Sequence, residues 1–192
     1  GTSFGLYRYN RGGNDFTLLN EVPGNLHYSN LIEDNHGTIW ASSLRDGLYF
    51  YNPTNKTSGY YKYEENNRKS LSSNAINSTF VDAKGELWVA TENGLNKFNE
   101  KERNFKRYNS KSGFLSNVFY KILEDRNSNL WISTSRGLVC FNPATNRIKS
   151  YTKANGLLSD QFNYSSAFKD TNDRMYFGSV KGMISFHPDR FT

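Results

Sequence analysis

The sequence predicts an all-β fold, a β-propeller fragment of about four and a half four-stranded antiparallel blades, and three observations predict it. First, the three tryptophans, Trp40, Trp88 and Trp131, stand 48 and 43 residues apart, and Tyr176 follows 45 later in the same local context. Second, an acid sits six residues before each of them, at Asp34, Asp82, Asp125 and Asp170. Third, each is followed by Gly47-Leu48, Gly94-Leu95, Gly137-Leu138 or Gly182-Met183, then by an aromatic at Tyr51, Phe98, Phe141 or Phe186, then by a turn such as Asn52-Pro53 or Asn142-Pro143. A repeat of about 40 to 50 residues holding four short strands is the signature of a propeller blade, whereas a leucine-rich solenoid repeats at about half that length.

The units follow in order. Residues 1–20 are the end of a truncated blade, in which Gly5, Leu6, Tyr9 and Asn10 occupy the glycine, leucine, aromatic and asparagine places. Residues 24–66, 71–112 and 114–155 are full blades, and 156–192 form a last blade lacking its outer strand. In the third full unit, residues 117–125 read as the inner strand, 129–134 as the second, 137–141 as the third and 147–151 as the outer one. A tight turn joins the first two strands, with the acid at its start and Gly37 or Gly85 inside it, since glycine tolerates positive φ. Ser128 and Asp173 replace that glycine in the later copies, so those turns are expected to be strained or differently shaped. The four anchors Trp40, Trp88, Trp131 and Tyr176 are expected to be buried alike between neighbouring sheets. Open sheet edges and uncovered end faces predict self-association.

Composition limits the function classes. The net charge of +6 comes from 24 Lys and Arg scattered among 18 acids, with no basic run, so nucleic acid is not the expected partner. No apolar stretch approaches the roughly 18 residues that cross a bilayer as a helix. Cys140, the one cysteine, excludes an internal disulfide.

The run Asp82-Ala83-Lys84-Gly85-Glu86-Leu87-Trp88-Val89-Ala90-Thr91, with Gly94-Leu95 after it, resembles the two-component regulator propeller repeat. The last unit departs from that pattern. It runs from Gln161-Phe162-Asn163-Tyr164 through Met175-Tyr176-Phe177-Gly178-Ser179 to Phe186-His187-Pro188-Asp189-Arg190-Phe191, a form similar to the final blade in the sensor region of Bacteroidetes hybrid two-component systems. In those proteins a small β-sandwich linker, a membrane helix and a histidine kinase follow. The resemblance implies a periplasmic sensor of oligosaccharides released from glycans, with further propeller blades and the linker as its partners. It implies kinase activity only in a part of the parent protein that this sequence does not contain.

An enzyme is the rival class, because propellers also host glycan hydrolases and lyases. A glycosidase needs two carboxylates about 5 to 10 Å apart in a cleft. The repeated aspartates are explained by their turns, and Glu33 and Glu124 by exposed strand ends. His27, His36 and His187 fall at three different blade positions, so no metal site is expected, nor any cofactor. Cys140 aligns with Phe50, Lys97 and Ser185, a place that accepts any side chain. Binding has a better address in the loops between second and third strands, which vary while the sheets hold position. They carry Arg45 and Asp46, Asn93, Arg136 and Lys181; the segments entering the inner strands add His27 and Tyr28, Ser73 and Asn74, Ser116 and Asn117, and Gln161 with Asn163, and Tyr28 and Tyr164 are the rings expected to stack. These polar groups and aromatic rings are the expected ligand contacts. The opposite face, with its repeated aspartates, is expected to serve folding.

Overall fold

The structure, a computed structural model, describes residues 1, 2 and 4–190; Phe191, the last aromatic of the closing motif, lies outside the described residues. Strands β1 (Tyr7–Asn10) and β2 (Asp15–Leu18) form a two-stranded ribbon, blade 1. Blade 2 comprises β3 (Tyr28–Glu33), β4 (Ile39–Ser43), β5 (Leu48–Asn52) and β6 (Thr57–Tyr61). Blade 3 comprises β7 (Ile76–Val81), β8 (Leu87–Thr91), β9 (Gly94–Asn99) and β10 (Asn104–Tyr108). Blade 4 holds β11 (Phe119–Glu124), β12 (Leu130–Thr134), β13 (Gly137–Asn142) and β14 (Arg147–Tyr151), and blade 5 holds β15 (Phe162–Lys169), β16 (Met175–Ser179) and β17 (Gly182–Phe186). Each strand pairs antiparallel with its sequence neighbour inside its own sheet, so the all-β propeller fragment expected from the repeat is what forms.

The recurring aspartate does two jobs. In blade 3, one oxygen of Asp82 accepts the backbone N–H groups of Lys84 and Glu86 at 3.0 and 2.9 Å, which closes the turn between β7 and β8. Its other oxygen accepts the indole N–H of Trp88 at 2.9 Å. Asp34 does the same for Trp40 at 2.7 Å and Asp125 for Trp131 at 2.9 Å. Asp170 accepts the hydroxyl of Tyr176 at 3.1 Å. The turns at Ser128 and Asp173 are not differently shaped. Both residues take the left-handed φ of 57° and 61° that Gly37 and Gly85 take at 74° and 82°, and the backbone bonds Ser128 N–H to Asp125 O and Asp173 N–H to Asp170 O repeat those of the glycine turns. The turn geometry overrides the residue preference, at a cost of roughly 1–2 kcal/mol for an L-residue in that region.

The core lies between blades. Successive strand residues face opposite sides of a sheet, so Leu130, Ile132, Val139 and Phe141 of blade 4 meet Trp88, Leu95 and Tyr108 of blade 3 on one side. On the other side Trp131, Leu138 and Tyr151 meet Met175, Phe177 and Phe186 of blade 5. Each tryptophan touches an aromatic of the next blade: Trp40 and Phe98 at 5.1 Å, Trp88 and Phe141 at 6.0 Å, Trp131 and Phe186 at 4.8 Å between ring centres. Tyr176 departs from the expected burial. It is only half-buried, because among the described residues no sheet covers its side of blade 5, and there Phe168 and Met183 are 63% and 62% exposed. Leu48, Leu95 and Leu138, which occupy the place of Met183, are fully buried. Blade 1 mirrors this: Tyr9 and Phe16 are 48% and 68% exposed at the places of the covered Phe141 and Ile148.

The four inner strands, β3, β7, β11 and β15, each slip register near their start, at Tyr28/Asn30, Ile76/Ser78, Phe119/Ile122 and Phe162/Ala167. Such bulges free backbone groups from the ladder, and neighbouring blades capture them. Asn77 Nδ2 donates to Phe119 O at 2.8 Å and Ser78 Oγ to Tyr120 O at 2.5 Å.

Candidate ligand-binding face

The loops between second and third strands are built alike. A hydroxyl at the end of the second strand receives the backbone N–H of the loop-tip residue: Ser43 Oγ from Asp46 at 2.6 Å, Thr91 Oγ1 from Asn93 at 3.1 Å, Thr134 Oγ1 from Arg136 at 3.1 Å and Ser179 Oγ from Lys181 at 3.3 Å. Glycine follows at positive φ, and a Cβ at Gly47 would come within 2.5 Å of Tyr61 O, so only glycine fits there. The tip positions are therefore structurally equivalent while their side chains differ. Arg45 is an extra residue in the first of these loops.

The structure brings some of the expected residues together and keeps others apart. Arg45 and Asn93 line one open cavity of about 470 Å³ between blades 2 and 3, together with Tyr63, Ser72, Ser73 and Asn74. Gly47 N–H donates to Asn74 O and Tyr63 N–H to Asn74 Oδ1, which fixes the wall of this cavity across the blade boundary. Asp46 does not line it. Its carboxylate is held by the Tyr49 hydroxyl and by Lys62 Nζ at 3.0 Å, and the hydrogen bond from Tyr49, opposed by burial and helped by Lys62, keeps Asp46 below the usual carboxylate range. Tyr28 is no exposed stacking platform either. It is buried, its hydroxyl donates to Pro23 O at 3.0 Å, and its ring meets Tyr49 edge to face. Arg136 and Lys181 stand on the same face but on blades 4 and 5, outside that cavity.

Tyr164 is 59% exposed, its ring centre 4.6 Å from that of Tyr120. Its hydroxyl donates to Glu92 Oε1 at 3.1 Å, linking blade 5 to blade 3, and Asn77 Nδ2 donates to the same oxygen at 2.8 Å. Burial first, then the Tyr120 neighbour Tyr164 and the Glu92 carboxylate, push the Tyr120 hydroxyl up to about 12. The cluster joins residues 72 positions apart in the chain. No local pattern signals it, because it forms between blades and beside the register shift of β15. Tyr63 was likewise missed: it follows the outer strand, where the repeat carries no marker.

Fold and loop face together define an incomplete β-propeller with a polar, variable face on a constant scaffold. Two segments of it, residues 70–93 and 113–136, match the model of the two-component regulator propeller family. No curated protein sequence matches the chain. Among solved structures, the extracellular domain described as that of a hybrid two component system from B. thetaiotaomicron is similar over 97% of this chain and 31% of its own, at 21% identity and a TM-score of 0.61. YCF48 bound to D1 peptide is similar over 97% of this chain and 58% of its own, at 13% identity and a TM-score of 0.66. Virginiamycin B lyase from Staphylococcus aureus is similar over 85% and 56%, at 13% identity and a TM-score of 0.59. At these identities the likeness is one of fold, and the chain spans about a third of the first of these structures and under two thirds of the others.

Proposed function

We propose that the chain is a ligand-sensing propeller module of a hybrid two-component sensor histidine kinase/response regulator, placed on the periplasmic side of the membrane and responding to glycan-derived oligosaccharides. The observation that carries this reading is the loop face, where repeats of a signalling family hold Arg45, Asn93, Arg136 and Lys181 on equivalent or adjoining loop positions. The solved extracellular domain from a hybrid two component system supports it. The cavity between blades 2 and 3 is the first contact point, with Arg45 as its cation and Asn74 and Asn93 as its amides. An acidic sugar suits it better than a neutral one, since guanidinium pairs with planar anions through two hydrogen bonds. Tyr164 supplies an exposed aromatic ring on the same face. The same reading includes partners: further propeller blades and a β-sandwich linker of the parent chain, and, for the isolated chain, a second copy covering its end faces.

Calorimetric titration of the folded chain with a panel of neutral and acidic oligosaccharides tests the reading. Binding of one class, weakened at least tenfold by Arg45→Ala or Asn93→Ala, is the expected result. Unchanged affinity in both variants moves the site off this cavity.

A further inference from the structure

A second cavity lies on the opposite face from these loops. It is an open cleft of about 940 Å³ between blades 2 and 3, on the side of the turns that follow the inner and third strands. Trp40, Phe50 and Phe98 form its aromatic floor, and Asn35, Asn55 and Asn99 stand along it. The outer strand of blade 2 differs here from those of the next two blades. In blades 3 and 4 the outer-strand residues Lys106 and Lys149 pair with Lys97 and Cys140, and each lays its ammonium over the ring of Tyr108 or Tyr151, at 4.8 and 5.1 Å. In blade 2 the corresponding residue is Gly59, paired with Phe50. Having no side chain, it lets the Phe50 ring lie across it, with ring carbons 2.8 Å from where a Cβ would stand, and that ring lines the cleft.

Charge around the cleft is unbalanced. Of the acids lining it, Glu86 is taken by Lys97 at 2.6 Å, Glu100 faces His36 at 3.5 Å, and Asp34 is engaged by its turn and by Trp40. Lys84, Lys101 and Arg103 have no carboxylate partner among the described residues, and the Arg103 guanidinium lies 5.3 Å over the Phe50 ring. Exposed cations of this kind are weak one at a time; here three stand around one cleft of ligand-sized volume with an aromatic base, and they outnumber its unpaired carboxylates, Asp34 and Glu100.

We propose that this cleft is a second binding site, for a carboxylate-bearing oligosaccharide, independent of the loop face. The aromatic floor meets the C–H face of a sugar ring, the amides meet its hydroxyls, and Arg103, with Lys84 and Lys101, meets its carboxylates. An acidic peptide would use the cations alone.

The test is calorimetric titration of the 192-residue chain with tetragalacturonate, with cellotetraose as the neutral control and hexa-aspartate as the acidic peptide. Tetragalacturonate is expected to bind, cellotetraose and hexa-aspartate at least tenfold more weakly. Arg103→Ala with Lys101→Ala, both exposed, is expected to weaken tetragalacturonate at least tenfold, and Gly59→Lys to do the same because its Cβ would displace the Phe50 ring that lines the cleft. In an Arg45→Ala, Asn93→Ala background, which removes the loop-face cation and amide, tetragalacturonate is expected still to bind, and adding Arg103→Ala with Lys101→Ala is expected to abolish that remaining binding, which separates the two sites. Equal binding of hexa-aspartate, or full affinity in the Arg103→Ala, Lys101→Ala variant with an unaltered circular dichroism spectrum, overturns the proposal, as does the absence of tetragalacturonate binding. The double variant decides the matter even if Gly59→Lys fails to fold.

Discussion

Asp82 and Trp88 are joined by a 2.9 Å hydrogen bond from indole to carboxylate, with both residues buried, and the same bond recurs in three of the blades. It couples two things that look separate in the sequence, the turn between the first two strands and the aromatic wedge between sheets. A carboxylate with no cation beside it is tolerated there because it accepts three N–H groups.

Asp82→Ala therefore removes the turn's acceptor and leaves a buried indole N–H unpaired. The expected loss is about 2–4 kcal/mol, more than a single hydrogen bond, because an unsatisfied buried donor adds its own cost of about 1–3 kcal/mol. In a double-mutant cycle with Trp88→Phe, which has no N–H, the two losses should be clearly non-additive. Denaturant unfolding of the four proteins measures this, and simple additivity would refute the coupling.

Burial differs among the four anchors, so their truncations should differ too. Trp88→Ala is expected to cost about 3–5 kcal/mol, as large aromatic truncations in cores do. Tyr176→Ala, at the equivalent but half-covered place, is expected to cost about 1 kcal/mol or less. Equal losses in urea unfolding would mean that something covers blade 5.

The uncovered faces of blades 1 and 5 carry the two unpaired halves of the aromatic contact that holds neighbouring blades together, Tyr9 and Tyr176. Head-to-tail association of two copies would pair them, and such a contact need not close on itself. Sedimentation of the isolated chain should show mass rising with concentration, and either Phe16→Lys or Met183→Lys should return it to a monomer. A monomer at high concentration in the unaltered chain rules this contact out.

The Tyr49, Lys62 and Asp46 tether has a defined pH response. The folded carboxyl is held below its ordinary value, so its stabilising effect is complete above the unfolded value of about 3.9 and is lost as pH falls through the lower folded one. The loop at 44–47 is thus expected to stay tethered at pH 5 and to loosen only below the usual aspartate range. Carboxyl chemical shifts of Asp46 followed by NMR report this directly, and a midpoint at or above about 4 would contradict it.

The repeat made blades, turns and anchors legible because each is enforced once per unit, and four copies reinforce one another. Tyr176 shows where this reading stops: its place in the register is visible in the sequence, but its burial depends on a neighbouring sheet. The loop face was legible as a set of positions and not as a site. Asp46 looked as available as Asn93, yet Lys62, sixteen residues on, occupies it. Tyr28 looked like a platform and is a core residue, because the bulge in β3 turns it into the space between blades 1 and 2. The cleft between blades 2 and 3 was invisible for another reason: its walls come from turns of two different blades, and nothing in the repeat says that those turns face each other.

Blades 2, 3 and 4 each bury apolar residues against a neighbouring sheet on both flanks, so the seams tie the stability of each blade to that of the next. The chain then behaves as a one-dimensional array whose members hold one another in place. Opening should begin at the termini, where a sheet has a single seam, and advance inward one seam at a time. Amide exchange would record this as a gradient along the chain, slowest in β8 and β12, which are seamed on both sides, and fastest in the β1–β2 ribbon.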